Sequence, residues 1–255
     1  MKPSIPNRAA PQRLIVQALL TGAFATSSCL ASSIVWYDQD YESLASADSG
    51  TDGGALADVG WNVGATVTDS GGGFIYNYFT FPAPNGGAGF SAVSVHGVPT
   101  VAQGSQGMVV YNDYNNGDHF NASGNIIEAL VFQEQTLGIG NDGTFTFQWD
   151  AIQDNLEAPT EAFAFVKVLN PATGFSTTFY DEFDTTATGT TWETNSLSVA
   201  IDPGLSGQLL QFGFGSRASG GTASGVNYDN VSLIPEPSTA LLGLLGLGFL
   251  ARRRR

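Results

Sequence analysis

In the stretch "GTFTFQWDA", Phe145, Phe147 and Trp149 occupy every second position, with Thr144, Thr146 and Gln148 between them. A period of two puts successive side chains on opposite faces of an extended chain, so one face of this segment is apolar and the other polar. "NSLSVAID" repeats the pattern with Leu197, Val199 and Ile201, and "LLQFGFGS" does so with Leu210, Phe212 and Phe214. Further strands are expected in "FIYNYFTF", "GFSAVSVHG", "GMVVYND", "EALVFQEQTL", "AFAFVKVL", "FSTTFYDEF" and "VNYDNVSL". Gly, Asp and Pro punctuate them, and no long helical period interrupts them. About ten strands in roughly 200 residues predict an all-β chain, a two-sheet antiparallel sandwich in one domain. Phe145, Phe147, Trp149, Phe212 and Phe214 are its expected core. The stretch from Ala45 to Asp58 reads as loop.

The two ends do not share this pattern. Lys2, Arg8 and Arg13 precede an apolar run from Leu14 to Ala25, and small residues follow through Ser27, Ser28 and Ala31. That order describes a secretory signal peptide over residues 1–31, cleaved after Ala31. The run is too short for a permanent span and contains Gln17. The sole cysteine, Cys29, would leave with the peptide, so the sandwich domain, residues 32–233, would carry no disulfide, thiol nucleophile or cysteine metal cluster. At the other end, Ser238 to Ala251 has no charged residue and precedes Arg252, Arg253, Arg254 and Arg255. As a helix this segment spans about 21 Å, short of the ~30 Å hydrocarbon core. It can enter a bilayer transiently, with the arginines on the cytoplasmic side.

Between these ends the charge is one-sided. Only Lys167 and Arg217 are basic from Ser32 to Leu233, against 22 Asp and Glu, a formal charge of −20. Such a body repels phosphate backbones, which excludes nucleic acid as a partner. It is compatible with divalent cations, cationic surfaces and neutral sugars, and equally with simple solubility outside a cell.

Pro235-Glu236-Pro237, the short apolar helix over 238–251 and the arginine cluster together resemble the PEP-CTERM sorting signal of Gram-negative bacteria. The resemblance spans residues 234–255. It implies processing by an exosortase, transient insertion in the inner membrane and release to the cell surface or exopolysaccharide matrix. The body carries a second resemblance. "QDYESL" followed by Gly60-Trp61, then "GTFTFQWDA", "AFAFVKVL", "TTWETNSLSVAID", "LLQFGFGS" and the closing "YDNVSL" look like the galactose-binding-like jelly rolls. Carbohydrate-binding modules of families four and nine are the nearest in outline. This resemblance implies a jelly-roll topology and one structural calcium between the opening and closing strands, at Glu42 and Asp229 with Asp40 nearby. Two carboxylates with backbone carbonyls and water meet the needs of that hard cation. The same residues read equally as a strand-end hydrogen-bonding group and a solvated carboxylate.

A sugar site needs exposed rings for stacking and amides or carboxylates for hydroxyls. Tyr111, Asn112, Tyr114, Asn115 and His119 lie together in one Gly/Asn-rich loop and offer both. Tyr76 and Tyr78, alternating with Asn77, form a second candidate. Catalysis finds less support: His96 and His119 are the only imidazoles, and no nucleophile elbow accompanies them. No motif for zinc or a nucleotide is present, and neither a nucleotide nor a haem is expected. The resulting expectation is a non-catalytic exported surface or matrix protein, adhesive or glycan-binding. Two alternatives stay open. One is a polysaccharide hydrolase using an acidic pair such as those among Asp181, Glu182 and Asp184. The other is a structural or ice-surface protein with a flat threonine face.

Overall fold

The computed structural model describes residues 37–47, 54–80, 83–86, 89–119, 124–139 and 141–236. The expected signal peptide, Pro237, the apolar segment 238–251 and the four arginines lie outside these residues. Among the described residues no helix is long and apolar enough to cross a membrane.

Twelve strands form among the described residues: β1 (Tyr37–Gln39), β2 (Asn62–Thr68), β3 (Phe74–Thr80), β4 (Ser91–Thr100), β5 (Gly104–Val110) and β6 (Ile126–Thr136), then β7 (Gly143–Leu156), β8 (Glu161–Asn170), β9 (Ser176–Asp184), β10 (Glu193–Ile201), β11 (Leu209–Ala218) and β12 (Ser224–Pro235). They make two antiparallel sheets. The first runs β10-β7-β12-β5-β4, with β1 added alongside β12; the second runs β3-β2-β6-β11-β8-β9. The fold is the expected all-β sandwich.

The alternation of the sequence becomes the division between inside and outside. Phe145, Phe147 and Trp149 of β7 are buried between the sheets, as are Phe212 and Phe214 of β11. Tyr228 of β12 stacks on Phe214 at 3.7 Å, and Phe147 stands 5.3 Å from Phe212 and 5.5 Å from Phe214. Each ring removes 150–250 Å² of surface from water, so this aromatic centre is the main cohesive element.

Two departures from the sequence pattern have local causes. β2 is absent from the predicted strands because Gly64 and Ala65 dilute its alternation. Gly64 is required there, since a Cβ would stand 2.4 Å from the ring of Phe79 on β3. The expected loop from Ala45 to Asp58 includes a one-turn helix, α1 (Ala55–Asp58), anchored by the buried Leu56.

The outward face of the second sheet carries an apolar layer of its own. Phe132, Phe163 and Phe165 point away from the main core yet are buried together. Gly215 of β11 makes room for them: a Cβ there would lie 2.5 Å from Phe163 Cζ and 2.8 Å from Leu130. The Arg217 guanidinium caps the Phe163 ring at 4.0 Å. Burial works against its charge, but hydrogen bonds to Glu182 and Glu128 hold it firmly protonated. Glu161 stands at 3.5 Å from the same group.

Candidate functional site

The outward face of the first sheet is organised differently. Ala92 and Ser94 of β4, Val109 of β5 and Gly225 of β12 lie along the bottom of an open groove of about 520 Å³. Such a volume lies within the range of small-ligand sites. These floor residues alternate with the core residues Val93, Met108, Val110 and Val226, which places them on the outward face. Tyr111 and Tyr114, with Asp154 and Asn155 of β7, also line the groove. The two tyrosine rings are parallel, 5.9 Å apart with 7° between their planes. Burial, then the charge of Asp113, pushes the Tyr111 phenol up to about 12, so it remains a neutral donor at any physiological pH.

Asp154 accepts no hydrogen bond among the described residues, and its Oδ2 lies 3.0 Å from where a Cβ on Gly225 would stand. Two residues further along β12, Asn227 stands on the same face of the strand. It pairs with Val109 and Ile152, is buried, and its Oδ1 has no hydrogen-bond partner.

The five loop residues expected to bind ligand therefore divide. Tyr111 and Tyr114 line the groove. Asn112 is fully buried beneath it, its amide donating to Ile127 O at 2.8 Å and to Ser216 Oγ at 3.1 Å. His119 is also buried, edge-on to Tyr114 at 4.7 Å, and desolvation lowers its pKa and keeps it neutral. These two hold the loop in place and do not face the groove. Asn115 is exposed but lies outside the groove lining. The second candidate, Tyr76 and Tyr78, secures the same loop from β3: Tyr76 donates to Asp118, and Tyr78 to Asp113 at 2.7 Å. Asp154, Asn155 and Asn227 were not singled out by sequence. The one available signal was the polar continuation "IQDNL" after the apolar alternation of β7.

At the other end of this face the topology gathers carboxylates. β1 pairs with β12, which places Asp40 and Glu42, just after β1, near Asp229. Asp229 sits directly across from Asp150 in the β12–β7 register. It is fully buried; its Oδ1 accepts the Asn230 N–H at 2.7 Å and its Oδ2 has no partner. Burial, followed by the charges of Asp150, Asp40 and Glu42, pushes its carboxyl up to about 8. Glu42 is slightly desolvated, yet the backbone N–H groups of Gln106 and Ser105, at 2.8 and 2.7 Å, hold it below the usual range. Asp40 Oδ1 accepts the Glu42 N–H at 3.2 Å. Asp150 is occupied by Thr194, Gln103 and Asn230. Oxygen donors around one orphaned buried carboxylate oxygen suit calcium and not a thiolate-seeking metal. Among the described residues, however, no three His, Cys, Asp or Glu side chains converge as a ready metal cluster. Backbone carbonyls and water would have to complete any coordination sphere.

The fold and its C-terminal end define a class: an antiparallel β-sandwich whose last strand leads into a sorting signal. Residues 233–255 match the PEP-CTERM protein-sorting motif. That motif marks an exosortase-sorted protein destined for the outside of the cell. No curated protein matches the chain. Solved structures similar to it include the C-terminal family 22 carbohydrate binding module of Clostridium thermocellum Xyn10B, 14% identical with a TM-score of 0.39, covering 78% of this chain and 91% of that one. The enzymatically active domain of bacteriophage CBA120 tailspike protein 4 is 14% identical with a TM-score of 0.41. The match covers 69% of this chain and 19% of the tailspike chain. A cyclase from Fischerella sp. TAU is 17% identical with a TM-score of 0.37, covering 68% and 85%.

Proposed function

We propose that this protein is a non-catalytic matrix or cell-surface component that binds neutral or amine-bearing polysaccharide in the groove of the first sheet. The parallel Tyr111–Tyr114 pair, lining the same groove as the exposed Asp154 carboxylate, carries this reading. Tyrosine rings offer apolar faces for pyranose stacking, while Asp154 and Asn155 offer acceptors and donors for hydroxyl or amino groups. Residues lining the groove include no cation, and the body is strongly acidic, so a polyuronate would be repelled. A calcium ion at Asp229, with oxygens from Asp40 and Glu42, is the second element of the proposal. It would replace the proton on Asp229 and fix the opening of the domain to its central closing strand.

Two observations favour binding over the alternatives. Of the acidic residues that a hydrolase reading would use, Glu182 is paired with Arg217 at 2.8 Å, and Asp181 Oδ1 and Asp184 Oδ1 accept backbone N–H groups of Glu182 and Thr186, an arrangement that favours a structural role for them over acid–base work. Thr185 and Thr188 are buried, and Thr185 bonds Tyr228 at 2.8 Å, which breaks up a flat threonine surface.

Retention on immobilised glucan, chitosan and polyuronate tests the proposal. Retention on the first two, absent on the third and weakened about tenfold by Tyr114→Ala, is expected from the loss of one stacking ring. No retention on any of the three would refute it.

A further inference from the structure

The sorting motif and the sandwich share residues. The motif match begins at Leu233, which is fully buried in the core opposite Phe147. β12 then continues through Ile234 and Pro235, paired with Thr146 and Phe145 of β7. Beyond the strand, the Glu236 N–H donates to Thr144 O at 2.8 Å. Its carboxylate accepts the Thr146 hydroxyl at 3.0 Å and the Ser198 hydroxyl of β10 at 3.5 Å. The Pro235-Glu236 part of the motif is therefore a sheet element, with its acidic side chain held across two neighbouring strands.

We propose that the folded sandwich latches the sorting motif, and that the exosortase gains it only when the end of β12 peels from β7. An enzyme that reads an extended peptide uses the backbone groups of that peptide and the space along its flanks. Here the Glu236 N–H and the β7 flank are already engaged, and Glu236 presents its carboxylate to Thr146 and Ser198. The latch is also built to open locally. Pro235 supplies no backbone donor, and Ile234 and Glu236 are exposed, so these few residues can separate while the buried Leu233 keeps the strand in place. Local opening of this strand end would thus set the rate of sorting, and the groove has no part in this.

The full-length chain, expressed with its exosortase and followed by pulse-chase, tests the latch. Thr146→Val combined with Ser198→Ala removes both hydroxyl partners of Glu236 without touching the motif. It should convert the full-length form to the processed form about three- to tenfold faster, the population change expected from losing about one exposed hydrogen bond. Thr146→Ser with Ser198→Thr keeps both hydroxyls and should process at the wild-type rate. Arg217→Ala, which loosens the opposite sheet, should leave the rate unchanged. An unchanged or slower rate in the first variant would overturn the proposal. So would equal acceleration in either of the others, since processing would then follow general instability and not release of this contact.

Discussion

The two outward faces of the sandwich meet the same excess of carboxylates in opposite ways. On the second sheet, Arg217 gathers Glu128, Glu161 and Glu182 and lies over Phe163, so that cluster of charge and its ring are covered by the protein itself, although Phe79 and Tyr180 of the same sheet stay exposed. On the first sheet no lysine or arginine among the described residues forms an ion pair with Asp150, Asp229, Asp40 or Glu42, and the nearby imidazole of His96 acts electrostatically on Glu42. Asp229 Oδ2 and Asn227 Oδ1 are left buried without partners, and Asp154 is left free at the groove. Buried polar atoms cost stability unless paired, so Asp229 Oδ2 and Asn227 Oδ1 mark two points on this face where a group outside the described chain would contribute, whereas Asp154 is exposed to solvent. Around Arg217 one face is completed by its own side chains; around Asp229 and the groove the other is not, and the proposed function is placed there.

Removing the cation from the complete face should have the largest effect. Arg217→Ala would remove the shared counter-charge of its three glutamates, leaving Lys167 acting on Glu128, and would uncover Phe163; the groups are partly exposed, so a loss of about 2 kcal/mol is expected in chemical unfolding. A loss below about 0.5 kcal/mol would mean that this face does not depend on its ion cluster.

Asp229 gives a smaller effect of characteristic sign. Its folded-state pKa, about 8, lies above its ordinary value of 3.8. The folded chain therefore keeps a proton that the unfolded chain releases, and the stability this contributes is lost as pH rises from about 4 to about 8. In metal-free protein the slope from this group should be at most about 1.4 kcal/mol per pH unit, and Asp229→Asn should remove it. Calcium, which favours the ionised form, should raise the unfolding temperature of the wild type most at the alkaline end and leave the variant unaffected. Equal pH slopes in wild type and variant, or equal calcium responses, would remove Asp229 from both roles.

The contrast between the faces was only partly legible in the sequence. Strict alternation exposed the core of β7, β10 and β11, because one residue set there is apolar and the other is not. In "AFAFVKVL" one set is wholly apolar and small while the other mixes Phe163 and Phe165 with Lys167, so ring size points one way and only Lys167 marks the outward face. The structure turns Ala162, Ala164 and Val166 inward and the larger Phe163 and Phe165 outward. The glycines of "QFGFGS" were the hint, since they make space for rings on a neighbouring strand. Tyr111 and Tyr114 were visible because an aromatic, Asn-rich loop is unusual in itself. Asp154, Asn155, Asn227 and Gly225 were not, because strands distant in sequence bring them together and each alone is an ordinary strand residue. Likewise, Pro-Glu-Pro ahead of an apolar run and arginines identified the sorting signal, but its docking against Thr144 and Thr146 depends on a strand register that no local pattern encodes.

The division of labour between the faces is tested most directly by measuring retention of three proteins on the same immobilised neutral polysaccharide: wild type, Tyr111→Ala with Tyr114→Ala, and Arg217→Ala. Each would be held well below its unfolding temperature. The account predicts that the tyrosine variant loses retention by at least about tenfold while Arg217→Ala, though less stable, is retained like the wild type. Undiminished retention of the tyrosine variant, or its loss in Arg217→Ala alone, would place the binding surface on the opposite sheet and contradict the account.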